Sequence, residues 1–268
     1  MQKINENYVE EILEYLGFIM KKRYDIETFH TYLKKSRALI ANMDEVPVYF
    51  DMTRGTTYHF RGEKNIHVIK TLGHKKRCTV VLCVLDDGRK LPPFVIYKSS
   101  SDTSYFSGMG SNNRLVVRNN ANGWITESMM IVWLERVFLL SGVSKDQIRY
   151  LIMDKCSVHE KATIKKRLEA ESVLCDYIPG GCTSFLQLLD VCINKPFKDR
   201  LREKFEEWFG IKGFTEENRT GKGYLKAPSY EIMNVWIQEA WTLVPEDLVR
   251  KSFKYCSNTT SFSKTQSF

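Results

Sequence analysis

The chain has 268 residues, 43% apolar and 12% aromatic, which excludes a disordered polymer and fits one large domain or a domain with an appendage. Forty Lys and Arg against 32 Asp and Glu leave a net charge of +8, which suits a polyanionic partner as well as it suits a merely basic soluble protein. Seven cysteines at irregular spacings without a C-x-x-C argue against a zinc site or a disulfide framework and for reduced thiols inside a cell.

The start, Met1-Gln2-Lys3-Ile4-Asn5-Glu6, is no signal peptide, and no apolar run reaches the length needed to cross a bilayer. A soluble intracellular protein with no membrane partner is the expectation. Val9, Ile12, Leu13, Leu16 and Ile19 recur at three- and four-residue steps, so 7–22 predicts an amphipathic helix, with acids early and Lys21-Lys22-Arg23 late to suit its dipole. A second helix is expected over 26–40. Val46–Phe50 reads as a short buried strand with Asp51 at its end, and 56–60 and 65–71 are β-rich. Residues 77–85 form an apolar strand, Asp86-Asp87-Gly88 a tight turn, and 92–97 the returning strand of a three-stranded antiparallel meander. Residues 98–113 read as a loop, and a helix follows from Thr126 as N-cap through Phe138.

Residues 148–153 predict a strand ending at Asp154, then a charged helix over 159–172 and a strand over 174–178. From Leu189, the residues Ile193, Phe197, Leu201, Phe205 and Trp208 lay one apolar stripe along a long helix, which Pro196 obliges to begin near Asn194 or to kink there. A Gly/Lys-rich break spans 210–226, 228–253 is helical, and the Ser/Thr-rich tail from Ser257 is frayed. Antiparallel strands followed by alternating helices and strands point to a single α/β sheet covered by helices.

Asp51 and Asp154 each end an apolar strand, and Asp190 stands where a packed helix begins. The 35 residues from 155 to 189 are enough for a helix, a strand and a loop that return Asp190 to the other two. Three converging carboxylates repel one another unless cations lie between them, and Mg²⁺, a hard ion, prefers such oxygens. Two ions about 3.5–4 Å apart can activate a water and stabilise a leaving oxygen in phosphodiester cleavage. Ordinary turn and cap aspartates fit the same spacing. His159, five residues past Asp154, fits a supporting role or a structural one. Lys161, Lys165, Lys166 and Arg167 make a basic helix face for DNA or for solvent, and Trp124, Trp133, Trp236 and Trp241 read as core.

Asn42-Met43-Asp44-Glu45-Val46-Pro47-Val48-Tyr49-Phe50-Asp51-Met52 resembles the first motif of the pogo-like DDE transposases, the Tigger, jerky and centromere protein B group. Leu151-Ile152-Met153-Asp154 with His159 resembles the second. Ile178-Pro179-Gly180-Gly181 running through Leu186-Gln187-Leu188-Leu189-Asp190 to Asn194-Lys195-Pro196-Phe197-Lys198 resembles the third. Gly62-Glu63-Lys64, Leu91-Pro92-Pro93 and Gly123-Trp124 match family landmarks in order, so the resemblance covers about 40–253.

The resemblance implies a ribonuclease-H-like mixed sheet flanked by helices, with N-terminal and C-terminal helical extensions. By motif position Asp51, Asp154 and Asp190 are the catalytic acids and the ligands of Mg²⁺, with Mn²⁺ as a substitute. It also implies DNA as partner, a homodimer and a nuclear location. The expected units are 1–40, a helical connector remnant; 41–210, the catalytic domain; and 211–268, a linker and C-terminal helical extension with a frayed tail. Val46 replaces a usual threonine, Leu188 a usual proline, and Lys155 a small or polar residue. About 40 residues precede the catalytic part, too few for the family's helix-turn-helix domains, which implies a fragment, a decayed element or a domesticated one. Two functions follow: a DNA endonuclease/transposase core, or a catalytically silent DNA- or chromatin-binding protein on the same fold. A nuclease acting on RNA–DNA hybrids is a third that the fold permits.

Overall fold

A computed structural model of the protein describes residues 6–33, 38–52, 61–62, 71, 76–99, 105–108, 114–142, 147–213 and 215–256. The β-rich stretches expected over 56–60 and 65–70, the Gly62-Glu63-Lys64 landmark beyond Gly62, most of the 98–113 loop and the 257–268 tail lie outside them.

The expected pair of N-terminal helices is one helix, α1 (Glu6–Leu33). The segment around 39–45, expected to end the second helix and lead to a short strand, is itself strand: β1 runs Leu39–Tyr49. The reason lies in its partners. Leu39 to Asn42 pair in parallel with Arg149 to Ile152 of β6 (Arg149–Asp154), and Ala41 to Tyr49 pair antiparallel with β2 (Arg77–Leu85). Strand pairing on both sides of this segment outweighs the modest helix preference of Leu and Ala.

β2 turns through Asp86-Asp87-Gly88, with Gly88 at φ +99°, and β3 (Phe94–Lys98) returns antiparallel, so the three-stranded meander is as expected. The sheet then grows at this edge by β5 (Arg114–Asn120), parallel to β3, and β4 (Tyr105–Gly108), antiparallel to β5. On the other side β7 (Val173–Ile178) pairs in parallel with β6. The order is β4-β5-β3-β2-β1-β6-β7.

Strand side chains alternate between faces, and each face has its own core. Val46, Val48, Val80, Leu82, Tyr150 and Ile152 point to the side covered by α1 and the C-terminal helices. Met43, Val81, Cys83, Leu151 and Met153 point to the side covered by α2 (Glu127–Trp133) and α3 (Ala162–Ala170). Thr126 caps α2 as expected, its hydroxyl accepting from the Met129 N–H, and Leu134–Phe138 continues as a wider π-turn. After β7 come a short α4 (Thr183–Leu186), a π-turn at Leu189–Ile193, and α5 (Asn194–Lys212). Pro196 stands third in α5, directly after the π-turn, which widens the helix just where the ring would crowd the preceding turn. The expected last helix divides at Pro245 into α6 (Tyr230–Thr242) and α7 (Glu246–Tyr255), both packed in the same core as α5.

Candidate metal centre

The β1–β6 register, carried two residues beyond Asn42 and Ile152, sets Asp44 beside Asp154. Asp44 is 7% exposed, on the face covered by α5. Gln187 donates from Nε2 to the Met43 carbonyl at 2.8 Å and ties the α4 end to β1. The π-turn that follows presents Asp190, which is exposed, to the same place. Asn194 closes the arrangement. Its Nδ2 donates to Asp44 Oδ2 at 2.9 Å and to Asp190 Oδ1 at 3.0 Å, so one buried amide holds two carboxylates. Leu188, where the family carries proline, has φ −54°, within the range proline enforces, so the backbone path is kept without it.

Burial, and next the Asp190 carboxylate, push the Asp44 carboxyl up to about 8; the Asn194 hydrogen bond pulls it down, and Glu45 and Asp154 add to the rise. A proton or a cation relieves that crowding.

The neighbouring side chain, Glu45, points to the opposite face and meets His159. His159 is fully buried and spans two acids: Nε2 lies 3.0 Å from Glu45 Oε1, and Nδ1 lies 3.0 Å from Asp154 Oδ1 and 3.1 Å from the Asp154 carbonyl. Burial pulls this imidazole down, but hydrogen bonds to Asp154 and Glu45 outweigh it and push it up to about 11. The ring is thus an imidazolium that fixes Asp154. The ligand atoms of Glu45, Asp154 and His159 all lie within 4.8 Å of one another, so this trio could also hold a metal ion, once the ring gives up a proton. The carboxylate cluster on the other side of Asp154 offers only hard oxygens and no bound proton donor but Asn194. That set fits Mg²⁺ and Mn²⁺ better.

Of the three acids expected from the motifs, the structure brings Asp154 and Asp190 to Asp44 and leaves Asp51 out. Asp51 lies past the end of β1, whose five residues beyond Asp44 carry the chain roughly 16 Å along the sheet. There its Oδ2 accepts from the Thr71 N–H at 2.7 Å and from the Thr71 hydroxyl at 2.9 Å, and it shares a small pocket with Lys198 and Arg202. The difference follows from β1: a strand begun at Val46 makes Asp51 its terminal acid, whereas the strand as formed carries Asp44 at its middle. Asp44, Glu45, Gln187 and Asn194 all lie inside the motif segments, and the apolar Leu39-Ile40-Ala41 ahead of them fits a strand as well as a helix.

Residues 75–253 match the model of the DDE superfamily endonucleases. The chain belongs to that family. The matched span starts past both Asp44 and Asp51, so geometry alone separates these two. The mouse pogo transposable element with KRAB domain is 30% identical over 259 residues, which covers 95% of this chain and 40% of the relative. The human pogo transposable element with ZNF domain is 27% identical over 171 residues, 63% of this chain and 12% of the relative. The chain therefore spans less than half the length of these pogo relatives. Among solved structures, the Mos1 strand transfer complex aligns with a TM-score of 0.55 at 12% identity, over 96% of this chain and 60% of that one. A Mos1 transposase catalytic domain solved with raltegravir and Mg aligns at 0.52 and 11% identity, over 96% and 93%. At such identities the likeness shows the fold, the ribonuclease-H-like mixed sheet expected from the motifs. No helix among the described residues is long and apolar enough to cross a membrane.

Proposed function

We propose that this chain is the catalytic part of a pogo-like transposase or endonuclease that cuts phosphodiester bonds in DNA, with Asp44, Asp154 and Asp190 as the acids that hold divalent ions. Asp44 takes the place that motif position gave to Asp51. The observation that carries this reading is the Asn194 amide bonded to both Asp44 and Asp190 beside the Asp154 strand end. Bound there, two Mg²⁺ or Mn²⁺ ions supply a water of lowered pKa and charge for the leaving oxygen.

The chain's own side chains do the rest. Asn194 sets the orientation of two ligands, and the His159 imidazolium holds Asp154 and offsets part of the negative charge of the cluster. Lys155, exposed beside Asp154 and in no ion pair among the described residues, is placed to meet a phosphate. The catalytic unit is 41–210 extended back to Leu39, with α6 and α7 completing its core. DNA as substrate carries with it a nuclear location, and the Mos1 paired-end complex with a left transposon end supports a dimer on two ends.

The test is nicking of supercoiled plasmid with Mg²⁺ or Mn²⁺ beside an Asp190→Ala control. Metal-dependent nicking that disappears in the control is the expected result. DNA binding without nicking under every metal condition would favour the catalytically silent binder instead.

A further inference from the structure

Of the tryptophans read as core, Trp133, Trp236 and Trp241 are buried, but Trp124 is 52% exposed. Its loop is nonetheless firmly built. Asn120 accepts through Oδ1 from the N–H groups of Asn122 and Gly123, and its Nδ2 donates to the Trp124 carbonyl at 2.7 Å. The Thr79 hydroxyl donates to the Gly123 carbonyl at 2.8 Å and ties the loop to β2. Gly123, at φ +69°, lies so close to the end of β3 that a Cβ there would come within 3.1 Å of the Lys98 Cβ.

The guanidinium of Arg77 lies over the Trp124 ring, 4.1 Å from its centroid. Among the described residues no carboxylate pairs with Arg77. Tyr49, 45% exposed, stands directly opposite Arg77 across the β1–β2 ladder. Lys98 beside the loop is exposed as well. Glu45, Pro47 and Tyr49 share one face of β1, the first two half-buried and Tyr49 exposed. A strip of surface thus leads from the Glu45–His159 contact to two exposed rings. Its length, roughly 13 Å of strand, equals about four stacked nucleotide steps.

We infer that Trp124, Tyr49 and Arg77 form a stacking platform for the unpaired bases of a single-stranded nucleic acid, with Arg77 and Lys98 also serving its phosphates. The inference deepens the proposed function and rests on it for the class of ligand. Every base has a π-face, so a ring on a fixed loop binds bases whatever their sequence. Arg77 can leave one face of the indole for a base without losing its cation–π partner. A duplex keeps its base faces covered, so the ligand must be unpaired, as a strand freed by a staggered cut would be. A protein partner would call for an apolar hollow, whereas here the exposed rings stand with the cations Arg77 and Lys98.

The test uses the full chain, labelled oligothymidylate and a duplex of equal length, all in EDTA so that no cleavage enters. Trp124→Ala should weaken single-strand binding by about tenfold or more while Trp124→Phe keeps most of it. Oligothymidylate should quench tryptophan emission in the natural protein, and Trp124→Phe should lose most of that quench. Circular dichroism checks that the exposed substitution leaves the fold intact. Unchanged affinity with unchanged quenching would overturn the platform. An equal loss for single strand and duplex in both variants would overturn it too, as an effect of charge or folding. Because the readout needs no metal, failure of the platform and failure of the metal centre are told apart.

Discussion

Asp44 is a buried carboxyl whose protonation decides what the site can hold. Its pKa near 8 lies above the ordinary 3.8, so in the metal-free protein its contribution to stability is complete below about pH 4 and is lost as pH rises through 8. Cation binding runs the other way, since the carboxyl must lose its proton first. We expect the affinity for Mn²⁺ to rise from pH 6 to about 8 and then level off, with proton release below pH 8, as calorimetry in two buffers of different ionisation enthalpy would show. An affinity independent of pH over that range would contradict the assignment. His159 gives a second expectation at this scale. Its removal as His159→Ala leaves Glu45 and Asp154 without the imidazolium between them, and should cost about 3 kcal/mol in urea unfolding. A loss below about 1 kcal/mol would mean that the imidazolium holds nothing together.

Two elements place these residues: the long β1 and the π-turn ahead of α5. The turn was legible in part, because Pro196 and the apolar stripe from Ile193 onward located the start of α5. The wider turn at Leu189–Ile193 leaves no signal in the apolar steps of four, which an α-helix fits as well. β1 misled for a different reason. Leu39-Ile40-Ala41 fits helix and strand alike, and only pairing with β6 on one side and β2 on the other decides it. That single boundary is why the structure sets Asp44, and not Asp51, beside Asp154 and Asp190. A third element, the end of α6, depends on a residue distant in sequence. Lys90 donates from Nζ to the carbonyls of Trp241 at 2.7 Å and Thr242 at 2.8 Å, and also to that of Val244. Lys90→Met keeps the stem and removes three charged hydrogen bonds from the last turn of α6. Thermal unfolding should show a loss of about 1–3 kcal/mol, and an unchanged midpoint would show that water replaces the ammonium fully.

Over the whole molecule, the sheet separates two cores, and Asp44, Asp154 and Asp190 gather on one of its faces, where β1 and the end of β6 meet the start of α5. The central strands, the meander and the Asp154 strand end could be read from apolar runs, because buried strands carry a strong compositional signal. The extension of the sheet by β4 and β5 could not, since the apolar runs there are only two and three residues long, too short to tell a strand from a loop. The family motifs span Asp44, Asp51, Asp154 and Asp190, and only three dimensions set Asp44 rather than Asp51 beside the other two. Asp44→Asn and Asp51→Asn should be assayed side by side for Mg²⁺-dependent plasmid nicking, with DNA binding measured at low salt as the folding control. If Asp44 holds the ions as proposed, Asp44→Asn abolishes nicking while still binding DNA, and Asp51→Asn nicks at close to the natural rate. Nicking retained in Asp44→Asn and lost in Asp51→Asn would contradict that assignment.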